Sequence, residues 1–181
     1  SDTEVLLALY ALHGEDFLRD AVGMFAIALY DFTEQKLILA RDIAGEKPLY
    51  WTQSGNTLLF ASELGGLLAS GRVPKELDLA AVNQYLLFDY VPTPQCIFKN
   101  VHKLEPGTML IVREGALRKK QFWSPPKTTH KLTEKEALVT LDRLFAESVS
   151  RQLVADVPLG VFLSGGIDSS AVAVYATRAS A

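Results

Sequence analysis

The stretch Asp156-Val157-Pro158-Leu159-Gly160-Val161-Phe162-Leu163-Ser164-Gly165-Gly166-Ile167-Asp168-Ser169-Ser170 joins a short apolar run to a bend of glycines and serines, and the bend to a helical run over Ala171–Arg178. Val157–Leu163 predicts a buried strand, with Pro158 near its first position, where a missing N–H costs least. A loop of two glycines and three serines at the end of such a strand lets backbone N–H groups approach an anion closely, and the helix beyond adds its positive end. Phosphate is the guest this chemistry predicts. Bulk at Gly165 or Gly166 would block the approach, the hydroxyls of Ser164, Ser169 and Ser170 can donate to phosphoryl oxygens, and Asp168 can hold the Mg²⁺ of a polyphosphate. The G-x-x-x-x-G-K-[ST] order is absent, which disfavours an NTP-hydrolysing switch of that type. The structural alternative is a Gly/Ser turn with Asp168 as a helix cap.

Upstream of this unit, Thr133-x-x-Glu136 has the form of a capping box, and Ala137, Leu138, Leu141, Leu144, Phe145, Val149 and Leu153 recur at helical spacing. Between residues 124 and 133 the apolar pattern stops and Pro125, Pro126, Thr128 and Thr129 make a stiff polar connector. This divides the chain into residues 1–123, a linker over 124–133, and residues 134–181.

The first zone opens on a second capping box, Ser1-x-x-Glu4, with a helix to about Asp20 whose Val5, Leu6, Leu9, Leu12 and Phe17 form one apolar face. Met24–Tyr30 and Lys36–Ala40 predict an antiparallel hairpin. Pro48–Thr52 and Thr57–Ala61 predict another, turning through Gln53-Ser54-Gly55-Asn56. A helix over Leu79–Phe88 has Asp78 as its N-cap, and Leu104–Val112 predicts a last short strand. There is no internal repeat and no low-complexity tract.

Of 181 residues, 49% are apolar and 22% charged, enough for a core and too apolar for a disordered chain. The 18 Lys and Arg against 21 Asp and Glu give a net charge of −3, so no basic field exists to hold a nucleic-acid backbone. Asp31, Arg41, Asp89 and Asp156 interrupt every hydrophobic run, which argues against a membrane helix. The start has no signal-peptide character. A single cysteine, Cys96, reads as a small apolar filler and suits a reducing, cytoplasmic setting. His13, His102 and His130 lack ligand spacing, and Tyr85, Phe88 and Tyr90 read as packing residues around a helix.

The segment Asp156–Ser170 closely resembles the PP-loop of ATP pyrophosphatase domains in glutamine-hydrolysing asparagine synthetases. Gly23-Met24-Phe25-Ala26, Ala40-Arg41-Asp42 with Gly45-x-Lys47-Pro48-Leu49-Tyr50, Ala61-Ser62-Glu63, Asp89-Tyr90-Val91-Pro92-Thr93-Pro94 with Ile97-Phe98-Lys99, and Lys103-Leu104-x-Pro106-Gly107 resemble the glutaminase half and interdomain segment of that family, in its order. The resemblance implies an α+β fold: part of an N-terminal-nucleophile αββα glutaminase domain, followed by the start of an α/β PP-loop domain. It implies hydrolysis of glutamine by an N-terminal cysteine whose α-amine is the base, and passage of ammonia to an aspartate adenylated by ATP, giving asparagine, AMP and pyrophosphate. Glutamine, aspartate and ATP with Mg²⁺ are the implied small molecules, with a homodimer as a state open to the full-length enzyme.

Carried onto this chain, Asp2 matches the carboxylate that holds the glutamine α-amino group, against a plain helix-cap reading. Leu163 matches the backbone contact to adenine, Ser164, Gly165, Gly166, Asp168, Ser169 and Ser170 the pyrophosphate loop, and Asp168 the Mg²⁺ ligand. Arg41, Asp42 and Lys47 resemble a family cluster, with a buried Arg–Asp pair bracing the strands as the favoured role, and Glu63 reads as a helix-capping carboxylate. The chain begins at Ser1, where the family has the later part of its glutaminase domain, without the nucleophile or the Arg- and Asn-Gly-containing segments; Cys96 has no free α-amine to replace it. The expectation is therefore an internal fragment, inactive as it stands. A β-lactam-forming or peptide-modifying relative, and a non-catalytic nucleotide- or partner-binding module, stay open.

Overall fold

The computed structural model describes residues 1–127 and 131–180; Thr128, Thr129 and His130 of the connector lie outside them. The chain forms two compact units, Ser1–Pro125 and Pro126–Ala181.

In the first unit, α1 (Asp2–His13) and a 3₁₀ turn (Gly14–Asp16) precede strands β1 (Ala26–Asp31), β2 (Lys36–Arg41), β3 (Tyr50–Ser54) and β4 (Thr57–Ala61). Helices α2 (Leu64–Ala69) and α3 (Leu79–Phe88) follow, then β5 (His102–Lys103), β6 (Thr108–Arg113) and β7 (Ala116–Gln121). The strands make a four-stranded antiparallel sheet, β1-β2-β6-β7, and a three-stranded antiparallel one, β4-β3-β5. Both expected hairpins form. Asp31 stands opposite Lys36, and its carboxylate closes the first turn by accepting the N–H of Thr33 and of Glu34 at 2.9 Å. Ser54 stands opposite Thr57, with Gly55 at φ +57° in the turn.

Successive residues of a strand point to opposite faces, and the two central strands, β2 and β6, are apolar on both. Ile38, Ala40, Met109 and Ile111 pack against Phe17 and Leu18 and against Leu6, Leu9 and Tyr10 of α1. Leu39 and Leu110 point the other way, to Leu49, Leu104, Trp51 and Leu58 at the second sheet. The far face of that sheet carries Tyr50, Leu59 and Ala61 into a third cluster with Leu64 and Leu67 of α2 and with Val73, Cys96 and Val101. The layers run helix, sheet, sheet, helix, the αββα order that the resemblance implies. Each fully buried Leu or Ile contributes about 1.5–3 kcal/mol, which is why these alternating positions decide the arrangement.

Several elements differ from expectation. The first helix stops at His13, because Gly14 at φ +55° leaves the helical region; Leu6 and Leu9 face the core while Val5 and Leu12 face solvent. The last strand begins at Thr108 rather than Leu104, since Gly107 turns the chain at φ +62°. β5 and β7 carry no sequence signal: one has two residues, and the other is an edge strand with charge at Arg118, Lys119 and Lys120.

The second unit consists of α4 (Glu134–Gln152) and α5 (Ile167–Ala179). Thr133 caps α4 through the expected box, its N–H donating to Glu136 Oε2 at 2.9 Å and its Oγ1 accepting from the Glu136 N–H at 3.4 Å. The helices meet through Phe145 and Tyr175, with ring centroids 4.9 Å apart, and the Tyr175 hydroxyl donates to Asp142. Val157–Leu163 does not form a strand. A strand needs a neighbour to take its backbone hydrogen bonds, and no strand lies beside it among the described residues of this unit; Phe162 is fully exposed.

Candidate functional site

The glycine–serine bend lies at the start of α5, and the helix begins earlier than its apolar pattern indicates. Gly166 is the N-cap and Ile167 the first helical residue, so Asp168, Ser169 and Ser170 occupy the first turn rather than a loop. The cap is therefore Gly166 and not Asp168. A glycine cap offers no side-chain acceptor, and the first N–H groups of a helix have no partner within it. Ser170 is the first whose N–H is taken up by the helix, by the Gly166 carbonyl at 3.1 Å.

The bend is held by its own hydroxyls. Ser164 Oγ lies 3.0 Å from Ser169 Oγ, the Gly166 N–H donates to Ser164 Oγ at 3.4 Å, and Ser169 Oγ donates to the Gly166 carbonyl at 3.1 Å. Gly165 has φ +82°, a conformation that side-chain-bearing residues rarely adopt. A Cβ at Gly166 would sit 3.5 Å from Ser164 Oγ, between the two serines. Free helix-end N–H groups, the Ser170 hydroxyl and an unobstructed glycine backbone form a donor set that fits a phosphate, while the Ser164 and Ser169 hydroxyls are spent on the bend itself. Asp168 adds an exposed carboxylate in the same turn, of the type Mg²⁺ uses singly beside phosphate oxygens and water. Among the described residues there is no group of three or more His, Cys, Asp or Glu side chains placed to hold a metal by themselves.

Asp2 is exposed in the first turn of α1, whose N-cap is Ser1; the Ser1 amino group donates to Glu4 Oε2 at 2.5 Å. Its carboxylate makes no hydrogen bond among the described residues. A cleft of about 600 Å³ opens beside it, lined by Thr3, Leu6, Phe25, Ile27, Lys47 and Ser62 among others, but Asp2 does not line it.

Arg41 and Asp42 are buried, as expected, but they are not a pair. The Arg41 side chain donates to three carbonyls: Nε to Lys47 at 2.8 Å, Nη1 to Leu104 at 2.8 Å and Nη2 to Gly45 at 2.5 Å. The Asp42 carboxylate accepts four backbone N–H groups, from Phe25 at 3.3 Å, Ala44 at 3.1 Å, Glu46 at 2.9 Å and Lys47 at 3.0 Å. Adjacent residues at a strand end turn to opposite sides, so each serves the backbone around it. Burial raises the Asp42 pKa, but the backbone N–H groups outweigh it and hold the carboxyl below its ordinary range.

The other singled-out residues divide. Cys96 is a buried filler in the third core cluster. Glu63 stands at the N-cap of α2, but its side chain caps nothing. Tyr85, Phe88 and Tyr90 are exposed rather than packed, with Phe88 and Tyr90 rings 6.3 Å apart. His102 lies against Trp51 at 4.8 Å, where burial and the Lys119 ammonium lower its pKa; His13 is exposed. Among the described residues no helix is long and apolar enough to cross a membrane.

Residues 1–123 match the family described as glutamine amidotransferase domain, and residues 140–181 the family described as asparagine synthase. Asparagine synthetase (glutamine-hydrolyzing) 3 of Bacillus subtilis is 34% identical over 177 residues, covering 97% of this chain and 29% of the relative. Asparagine synthetase (glutamine-hydrolyzing) 1 of the same organism is 36% identical over 171 residues, covering 94% and 27%. Amidase chyE of Penicillium rubens is 37% identical over 178 residues, covering 96% and 26%. The chain spans 26% to 34% of the length of the curated relatives it matches.

Proposed function

Because the chain belongs to the glutamine amidotransferase domain family, we propose that the protein carrying it hydrolyses glutamine and uses the ammonia to convert aspartate to asparagine at the expense of ATP. The observation that carries this reading is the order of the two matches in one chain, a glutaminase region over 1–123 and an asparagine synthase region over 140–181. The junction belongs in residues 124–133.

On this reading the Asp2 carboxylate holds the α-ammonium of glutamine by charge and hydrogen bonding, which fixes the side-chain amide relative to the nucleophile. Ser164, Gly165, Gly166, Ser169 and Ser170 hold the β- and γ-phosphates through backbone N–H groups and hydroxyls, and the backbone of Leu163 meets the adenine. Asp168 holds Mg²⁺. Bound ATP supplies the adenylyl group that turns a carboxylate oxygen into a leaving group. The helix-end donors of α5 favour the pyrophosphate as negative charge accumulates on it.

The test is transfer of label. The protein that carries this chain, given ¹⁵N-amide glutamine, aspartate and Mg-ATP, is expected to form ¹⁵N-asparagine with equimolar AMP and pyrophosphate. AMP formation that does not depend on aspartate, or no asparagine at all, would overturn the reading. The likeness to Amidase chyE supports a second one, in which the same two units amidate a different carboxylic acid; AMP formation with another acid in place of aspartate would identify it.

A further inference from the structure

The first unit carries a second, smaller hollow, which Asp2 does not line. A cavity of about 160 Å³ is walled by Arg41, Tyr50, Tyr90, Thr93 and Lys103. Three distant parts of the chain meet there: the end of β2, the start of β3, and the segment running from α3 to β5.

Two cations share this cavity. Arg41 is 9% exposed and Lys103 half-buried. Among the described residues neither has a carboxylate oxygen within 4 Å, although nine ion pairs form elsewhere in the chain. The nearest carboxylate in sequence, Asp42, is occupied by four backbone N–H groups. A buried positive charge without a counter-charge is costly, and two facing one hollow more so. Burial holds the Lys103 pKa below its ordinary value, with the Cys96 side chain opposing the shift and Arg41 adding to it.

The donors are also unspent. A guanidinium has five N–H groups and an ammonium three. Arg41 uses three on carbonyls, and Lys103 uses one, on the Val91 carbonyl at 2.5 Å. That leaves two on each, together with the Tyr50 hydroxyl, which makes no hydrogen bond among the described residues. A planar fork, a tetrahedral ammonium and a phenol thus border one hollow, and their unspent hydrogens have no acceptor among the described residues.

We propose that the cavity bounded by Arg41, Tyr50 and Lys103 is a binding site for a small free oxyanion of phosphate type. At about 160 Å³ the hollow suits a small anion, and three donor groups of different geometry suit a tetrahedral anion better than a flat one. A bound anion neutralises both cations, and so ties β2 and β3 to the segment carrying Val91 and Thr93.

Inorganic phosphate is the probe. Titrated into the 181-residue chain against sodium chloride of equal ionic strength, it is expected to raise the melting temperature with the logarithm of its concentration once above Kd, by about 4 °C at tenfold excess over Kd. Lys103→Met should weaken binding at least tenfold, and Tyr50→Phe by a smaller factor, while Lys75→Met, a cation outside the cavity, should leave Kd unchanged. A rise no greater than that in chloride, or the same Kd in Lys103→Met, overturns the proposal. Should Lys103→Met fail to fold, the Lys103 side-chain NMR signal of the unsubstituted chain decides. Its pKa must rise on adding phosphate, and an unmoved titration refutes the site.

Discussion

Arg41 and Asp42 meet on a third residue: Arg41 Nε donates to the Lys47 carbonyl at 2.8 Å, while the Lys47 N–H donates to Asp42 Oδ2 at 3.0 Å. The two side chains thus grasp one loop residue from opposite ends. Neighbouring contacts extend the hold, since Gly45 and Leu104 also give carbonyls to Arg41, and Phe25, Ala44 and Glu46 give N–H groups to Asp42. The loop between β2 and β3 is fixed by polar contacts at a place where no side chain of its own enters the core before Leu49.

Asp42→Asn should therefore cost about 2–4 kcal/mol, because an amide nitrogen would face N–H donors and leave them buried without an acceptor. Urea unfolding reads this as a lower midpoint at unchanged slope. An unchanged midpoint would show that the loop holds without the carboxylate.

The same residue sets an acid limit. Its folded pKa is depressed, so the unfolded chain binds the proton first, and the stability it contributes is present above the unfolded pKa and lost as pH falls through the folded one. The gap in urea midpoint between the native chain and Asp42→Asn should be full at pH 7 and shrink below about pH 4. A gap independent of pH down to 2 would contradict this.

Gly107→Ala tests close backbone approach. At φ +62° its Cβ would fall 2.8 Å from the Trp123 carbonyl oxygen, and the Gly107 carbonyl accepts the N–H of both Phe122 and Trp123. The substitution should cost about 2–4 kcal/mol. Gly55→Ala has a similar φ of +57° but open space around it, and should cost about 1 kcal/mol. Thermal unfolding of the two side by side separates the clash from the dihedral preference, and equal losses would remove the steric account.

Asp2→Asn bears on the proposed glutamine contact. Loss of a charge-assisted hydrogen bond should raise KM for glutamine about 10- to 100-fold in the protein that carries this chain. The ratio of glutamine- to ammonia-supported synthesis is the readout, and an unaltered ratio would return Asp2 to a helix-end role.

Local patterns made much of this fold legible. The β1–β2 hairpin, the two-residue turn at Gly55, the Asp78 cap and the extent of α3 follow from neighbours in sequence, and the Asp78 carboxylate does accept the Ala80 N–H at 2.9 Å. β7 escaped because an edge strand needs only one apolar side, and Leu117 supplies nearly all of it. Val157–Leu163 has strand composition, but composition does not provide a pairing partner. The Ser164–Ser170 bend stands out in the sequence as a candidate because its chemistry lies within seven consecutive positions. The Arg41–Tyr50–Lys103 cavity does not, since its cations lie 62 positions apart in sequence and only the fold brings them to one hollow.

The two-sided greasiness of β2 has a cost for folding fidelity. With Leu37 and Leu39 on one face and Ile38 and Ala40 on the other, sliding the strand by one step exchanges one oily surface for another, and solvent aversion hardly distinguishes the alignments. The discriminating information must come from the strand's ends, where a shift would strip Asp42 of its backbone donors and Arg41 of its carbonyls. Alignment in the middle of this sheet is thus dictated by a charged knot at its margin.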